Sequence, residues 1–363
     1  MKLSDIYTII DSSEDYLYSL KKSQDFKYFP SKIGLTEYGK NLELGFSTFA
    51  IKILKMINKI EDYDINLWSE YINSFQSSEY NNLPMNSFVD PYLVKSYEEM
   101  TTKIRIKETT KKVLNLISSK YDTNEIKFKK SINAETKQAI STLSEIGSIN
   151  KLPLEIKKTE QEIYEDLKKL NWENPWSAGG QFSTYCVYSS TQDLNYSPIL
   201  QRFILELVDS ETGSYYSKTP KTSREIINGA MKVISGLDWI QQEIHYPKKL
   251  IDYCLENKPI LEGCDIVDYV YVLYRCSQQS NYKKKEVNDV LNETLDYLIR
   301  LYKKDEKGFS YFEGKSQTYY YGAQISIGLD CADIQSTTLC IWAIIMILNN
   351  SESLDDKYKL IKP

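Results

Sequence analysis

Apolar positions recur at helical spacing wherever a stretch of this chain is long enough to test. Val287, Val290, Leu291, Thr294, Leu295, Leu298, Leu301 and Tyr302 follow an i, i+3, i+4, i+7 pattern with Lys, Glu and Asp opposite, which predicts a one-sided outer helix. The same stripe runs through Phe49, Ala50, Ile53, Leu54, Ile57 and Ile60, and again through Ile226, Ile227, Ala230, Met231, Ile234 and Leu237. Ile266 to Tyr274 and Leu339 to Leu348 are instead apolar nearly all the way round, as expected of helices covered on every side. The first of these is rich in Val and Tyr, so a strand competes for it; its place in the repeat decides for helix. Two helix types therefore alternate, and concentric inner and outer helices are the simplest arrangement that uses both.

The alternation is punctuated by an echo. Asp209-Ser-Glu-Thr-Gly-Ser-Tyr-Tyr216, Glu262-Gly-Cys-Asp265 and Asp305-Glu-Lys-Gly-Phe-Ser-Tyr-Phe312 place Gly213, Gly263 and Gly308 at intervals of 50 and 45 residues. A period of that size predicts stacked or ring-closed helical hairpins. Leu44 to Ala50, Trp68 to Gln76 and Phe88 to Pro91 read as an earlier copy of the unit. The expectation is one all-α domain over residues 1–363, with 1–35 as an N-terminal helical extension. The Lys-rich stretch 120–155 reads as an outer helix pair or an excursion from the ring.

Lys307-Gly-Phe-Ser-Tyr-Phe312, followed by Gln317 and Gly322, resembles a degenerate form of the Gln-containing repeat of squalene-type cyclases. Gly328-Leu-Asp-Cys-Ala-Asp-Ile-Gln-Ser-Thr-Thr338 is similar to the segment that opens an inner helix in those proteins. The resemblance to the terpenoid cyclase and protein prenyltransferase group covers residues 172–348 and, faintly, 40–120. It implies an α/α toroid. The catalytic signatures of the group are not matched. Asp265-Ile-Val-Asp268 and Asp330-Cys-Ala-Asp333 lack the paired acids of the cyclase motif. Asp330 and Cys331 are adjacent rather than spaced as zinc ligands, and the only histidine, His245, lies upstream. No metal and no cofactor are expected, and one histidine removes most Ser/His/Asp and Cys/His schemes.

Composition narrows the partners. Net charge is -5 and no basic stripe is present, which argues against nucleic acid. The longest apolar run, Leu339 to Leu348, has ten residues, about half of a bilayer span, so no integral membrane segment is expected. Six cysteines without a C-x-x-C pair predict reduced core thiols and a cytoplasmic protein. His245 precedes Pro247 and is expected to end a helix, where the dipole favours its charged form.

The candidate chemistry sits where loops enter inner helices. Asp265, Asp268, Asp330 and Asp333 would converge on one mouth of a ring, and two carboxylates held close can divide into an acid and a base. The competing reading is that each caps a helix N-terminus. Trp176, Tyr215, Tyr216, Tyr311, Tyr319 and Tyr320 are candidate walls for a bulky substrate, or core fillers. In the run Tyr319-Tyr-Tyr321 at least one ring is expected at a surface or cavity. Two functions follow: an enzyme acting on an isoprenoid or carbohydrate substrate in an aromatic-lined cavity, with loop aspartates as acid and base, or a non-catalytic toroid that binds a peptide, glycan or partner protein. Fold alone does not separate them.

Overall fold

In the computed structural model, which describes residues 2–80, 83–99, 102–115, 121–218, 220, 222–260 and 263–363, the alternating pattern becomes two concentric layers. Among the described residues six helices form the inner layer: Leu44–Met56, Asn124–Glu145, Pro175–Thr191, Ser223–Trp239, Cys264–Gln279 and Ile334–Asn350. They pack in that order, and the sixth returns to pack on the first. The outer helices include Ser13–Leu20, Ile65–Asn73, Ser197–Leu207, Pro247–Glu256 and Lys284–Arg300. The chain is an all-α toroid.

Cross-helix contacts show that the inner helices run parallel. Arg224 meets Asp265, Lys232 meets Asp268, and Asp238 meets Arg275, so numbering climbs together on the fourth and fifth helices. Tyr271 lies on Trp342, and Tyr274 bonds Asn349 on the sixth. Thr48 meets Gln138 and the charge of Glu145 acts on Lys52 across the first and second, and Lys130 meets Ser177 and Lys137 meets Ser183 across the second and third. All six N-termini therefore open at one mouth.

The closest seam joins the third and fourth inner helices. Pro175 packs on Gly229, Gly179 lies against Val233, and Gly236 faces Ser183 and Cys186. Ser183 and Ser235 hydroxyls sit 3.1 Å apart within it. Small residues on both helices let the backbones approach and pack at interior density.

The mouth is built from short antiparallel hairpins. Gln76–Ser77 pairs with Ser87–Phe88, Tyr302–Lys303 with Gly308–Phe309, and Tyr319–Tyr320 with Ala323–Gln324. Helices Leu3–Asp11 and Ser13–Leu20 are followed by a strap that crosses the seam between the first and sixth inner helices. There Thr36 N–H donates to Ile325 O at 3.0 Å and Ile334 N–H to Pro30 O at 2.9 Å.

Three sequence expectations change. Residues 124–145 form an inner helix, neither an outer pair nor an excursion. Leu44–Met56 and Ser223–Trp239 carry the one-sided stripe of an outer helix yet sit in the inner layer. Their polar faces meet the ring axis and neighbouring helices instead of bulk water. His245 lies past the end of the fourth inner helix, not on it; its Nδ1 is 3.2 Å from the Tyr215 hydroxyl, and burial lowers its pKa, favouring the neutral ring.

The seam makes a paired prediction. A Cβ at Gly236 would stand 2.9 Å from Ser183 Cα and 3.0 Å from Cys186 Sγ, so Gly236→Ala overpacks the joint and should cost about 1–3 kcal/mol in urea unfolding. Gly180, one residue from the seam position Gly179, has nothing within 4 Å of its added Cβ. Gly180→Ala should leave stability unchanged or raise it by up to about 1 kcal/mol.

Candidate functional site

The fifth inner helix begins at Gly263, whose φ of 52° and ψ of −130° suit glycine alone. Any Cβ there would also lie 2.6 Å from the Tyr311 ring. Tyr311 is thereby laid across the helix start, with its hydroxyl 2.9 Å from Cys264 Sγ. Burial, with Asp268 nearby, pushes the Cys264 thiol up to about 11. It is a packing group with little thiolate character.

Asp265 and Asp268 follow on the first turns with different partners. Asp265 accepts from Arg224 Nε at 2.5 Å and Asn228 Nδ2 at 2.7 Å, a clamp between the fourth and fifth helices. Asp268 is 2% exposed and has Lys232 Nζ 3.7 Å from Oδ1, while Oδ2 has no hydrogen-bond partner. Burial raises its pKa to about 6, against the pull of Lys232. It is an acid that titrates close to neutrality on the wall of a cavity.

That cavity lies on the ring axis, with a volume of about 350 Å³. Lys52 from the first inner helix, Lys137 from the second and Lys232 from the fourth reach its wall, against Asp268 from the fifth. Burial brings Lys137 down to about 7, helped by the charges of Lys232 and Lys52. It brings Lys52 down to about 8, partly offset by Glu145. Phe49, Tyr321 and Trp342 supply apolar faces, and Gln138, Gln317 and Gln335 supply amides. Ile361 to Pro363 cross the far end, where Trp342 Nε1 donates to Ile361 O at 3.2 Å and Trp239 Nε1 to Pro363 O at 3.1 Å.

At the mouth, Trp176, Cys264 and Tyr311 line both the cavity and an outer vestibule of about 450 Å³ that also holds Arg224, Lys258 and Asp265. Trp176 is 38% exposed there. Tyr319 is exposed on the last hairpin. Tyr320 turns inward, where its hydroxyl donates to the buried Glu135 at 3.2 Å, and all three rings of the run, Tyr319, Tyr320 and Tyr321, contribute to the cavity lining. Burial and Asp90 hold the Glu135 carboxyl well above its ordinary pKa.

The remaining candidates lie elsewhere. Asp333 caps the sixth inner helix, accepting from Ser336 N–H at 2.8 Å and Gln317 N–H at 3.0 Å. Asp330 forms an exposed ion pair with Lys303. Tyr215 is buried against His245, and Tyr216 shares the turn of Asp209 with Thr212; neither ring lines the axial cavity.

The structure also brings in residues that the sequence did not single out: Lys52, Lys137, Lys232, Glu135 and Gln138. Lys52 and Lys232 carried a signal, each a cation between apolar neighbours, Ile51 and Ile53 for the first and Met231 and Val233 for the second, in a largely apolar helical stretch. Among the described residues no group of three or more His, Cys, Asp or Glu side chains is placed to hold a metal ion. None of the helices described is long and apolar enough to cross a membrane.

No protein-family model matches the sequence, and no curated protein matches it. Among solved structures the fold is similar to Candida albicans protein geranylgeranyltransferase-I complexed with GGPP, at a TM-score of 0.52 and 11% identity over 97% of this chain and 96% of that one. A weaker likeness, at a TM-score of 0.46 and 10% identity, is to a polysaccharide lyase, over 97% of this chain and 99% of that one. Similarity at this level is one of fold: the α/α toroid is shared.

Proposed function

We propose that this toroid is an enzyme that takes a bulky substrate with an anionic group into its axial cavity, and that Asp268 is its acid/base residue. The observation that carries this reading is the meeting of Lys52, Lys137 and Lys232 with a single carboxylate between aromatic walls. Like charges in a site of reduced dielectric repel, and a carboxylate or phosphate relieves that repulsion. Lys232 beside Asp268 holds a proton donor and acceptor in one corner, and the raised pKa of Asp268 suits proton transfer near neutral pH.

The wall favours a sugar acid over an isoprenoid chain. Gln138, Gln317, Gln335, Ser141 and Ser235 line the cavity; each already bonds a protein partner, and the hydroxyls of a sugar can extend those networks where a hydrocarbon tail cannot. Trp176 and Tyr311 at the neck offer faces on which a sugar ring stacks. Asp265, Asp330 and Asp333 then act by positioning loops and helices. The six unpaired thiols support a reducing, cytoplasmic setting. A second reading uses the mouth as a docking collar for a protein or glycan, and exposed Trp176, Tyr319 and Ile260 around it favour that reading.

A thermal-shift panel separates these readings. Uronate oligosaccharides should stabilise the chain, and neutral oligosaccharides and geranylgeranyl diphosphate should do so less. Lys232→Met should weaken uronate binding by about tenfold or more, the loss expected for one charge-assisted bond. Equal shifts for neutral and acidic sugars would overturn the anionic reading.

Asp268 also has a signature in stability. An acid whose pKa is raised on folding contributes fully below its ordinary value near 4, and that contribution is lost as pH rises through about 6. Asp268→Asn should therefore flatten the fall in unfolding free energy between pH 4 and 6 by about 2–3 kcal/mol relative to the parent chain.

A further inference from the structure

Lys137 differs from the other two axial lysines in what surrounds it. Lys232 has Asp268 at 3.7 Å, and the charge of Glu145 acts on Lys52. Lys137 has no carboxylate within ion-pair distance among the described residues, and its polar contact is the Ser183 hydroxyl at 3.4 Å. Its flexible stem leaves the second inner helix toward the axis, and its amine meets the cavity, so a small molecule there can reach it.

The charged and titratable groups that act on this amine or share its cavity come from several elements. Lys52 lies on the first inner helix, Cys186 on the third, Lys232 on the fourth and Asp268 on the fifth; Tyr321 stands on the hairpin and Lys362 on the closing segment. Cations outnumber acids among them, and Cys186 is a deeply buried thiol whose pKa is pushed well up. An ammonium at position 137 is thus opposed by two neighbouring amines and by burial, while the free amine is opposed by neither. A desolvated lysine beside another cationic group is an activated nucleophile toward carbonyl compounds.

We propose that Lys137 forms an imine with an aldehyde or ketone that bears a carboxylate, such as a 2-oxo acid or an open-chain sugar acid, whose anion is held by Lys52 and Lys232. The nitrogen lone pair attacks the carbonyl carbon, and the ammonium proton formed on nitrogen passes to the former carbonyl oxygen to give a neutral carbinolamine. Asp268 then donates a proton to the hydroxyl, which leaves as water while the nitrogen lone pair forms the C=N bond, and the iminium nitrogen returns its proton to Asp268. Amine and carbonyl become imine and water, with no change of oxidation state. The substrate class rests on the anionic cavity proposed above; the nucleophile rests on the surroundings of Lys137.

The test is trapping with glyoxylate and sodium cyanoborohydride on the full chain, followed by intact mass and peptide mapping. The expected result is one carboxymethyl group per chain, on Lys137, formed at pH 7 at least about tenfold faster than on surface lysines, whose free-amine fraction is about four in ten thousand. The labelling rate should level off just above pH 7, in line with an amine titrating at about 7. Lys52→Met and Lys232→Met should each shift that profile to higher pH, a change that a merely structural role would not produce. Label spread evenly over surface lysines, or Lys137 reacting only at their pH, would overturn the proposal. If uronates stabilise the chain while Lys137 stays unlabelled, the anion site stands and the nucleophile falls. If Lys137 labels with glyoxylate and with a neutral aldehyde at the same rate, the nucleophile stands and the anionic reading falls.

Discussion

Six parallel helices in a ring must put something on their axis, and the rest of this molecule is arranged around what stands there. Apolar side chains meeting at the axis would fill it as a core. Here Lys52, Lys137 and Lys232 reach it from three different helices. Charged amines repel one another, and the centre remains open as a cavity of about 350 Å³. Cohesion therefore comes from the annulus between the layers, where apolar faces such as those of Leu291, Leu295 and Leu298 are buried. The same separation lets the axis hold groups that would be intolerable in a continuous core.

The mouth shows how acids at helix starts can be structural. Asp90, which caps helix Pro91–Glu98, accepts from Tyr92 N–H, 2.9 Å away, and from Glu43 and Leu44 N–H at 2.7 and 3.1 Å. It thus fastens the first inner helix to the outer segment that follows. Asp333 does the equivalent for the sixth, tying the Gln317 loop to the helix it caps. Asp265 joins the fourth and fifth helices through Arg224 and Asn228. With these clamps in place the rim is rigid, and the acid one turn deeper, Asp268, is left with an oxygen that no protein group uses.

The layering was legible in the sequence because burial sets the period of apolar residues, and both layers bury a stripe. Which layer a helix joins was legible only for Ile266–Tyr274 and Leu339–Leu348, apolar on every side. In Leu44–Met56, Asn124–Glu145 and Ser223–Trp239 the polar stripe faces the cavity or a neighbouring inner helix, and a stripe facing an enclosed polar cavity has the same period as one facing bulk water. Lys137 was lost for that reason. The glycine echo marked the mouth, yet its members are not equivalent. Gly213 and Gly263 adopt positive φ, whereas Gly308 is a strand residue against the Tyr16 ring. Glycine recurs because several unrelated close approaches occur at the same rim.

Three lysines on one cavity become three different groups through their partners alone. Lys232 is tied to Asp268, Lys52 is partly compensated by Glu145, and Lys137 faces cations with no carboxylate within ion-pair distance among the described residues. A proton shed to relieve the crowding therefore leaves Lys137 first, since its removal lowers the repulsion on both neighbours and breaks no ion pair. An entering anion has the opposite effect, favouring protonation of whichever amine it meets. The two states need not compete if the anion settles between Lys52 and Lys232 while the rest of the ligand extends toward Lys137. The open axis thus separates charge recognition from nucleophilic reactivity within a few side chains, and the parallel ring makes this possible by delivering each lysine from a different helix.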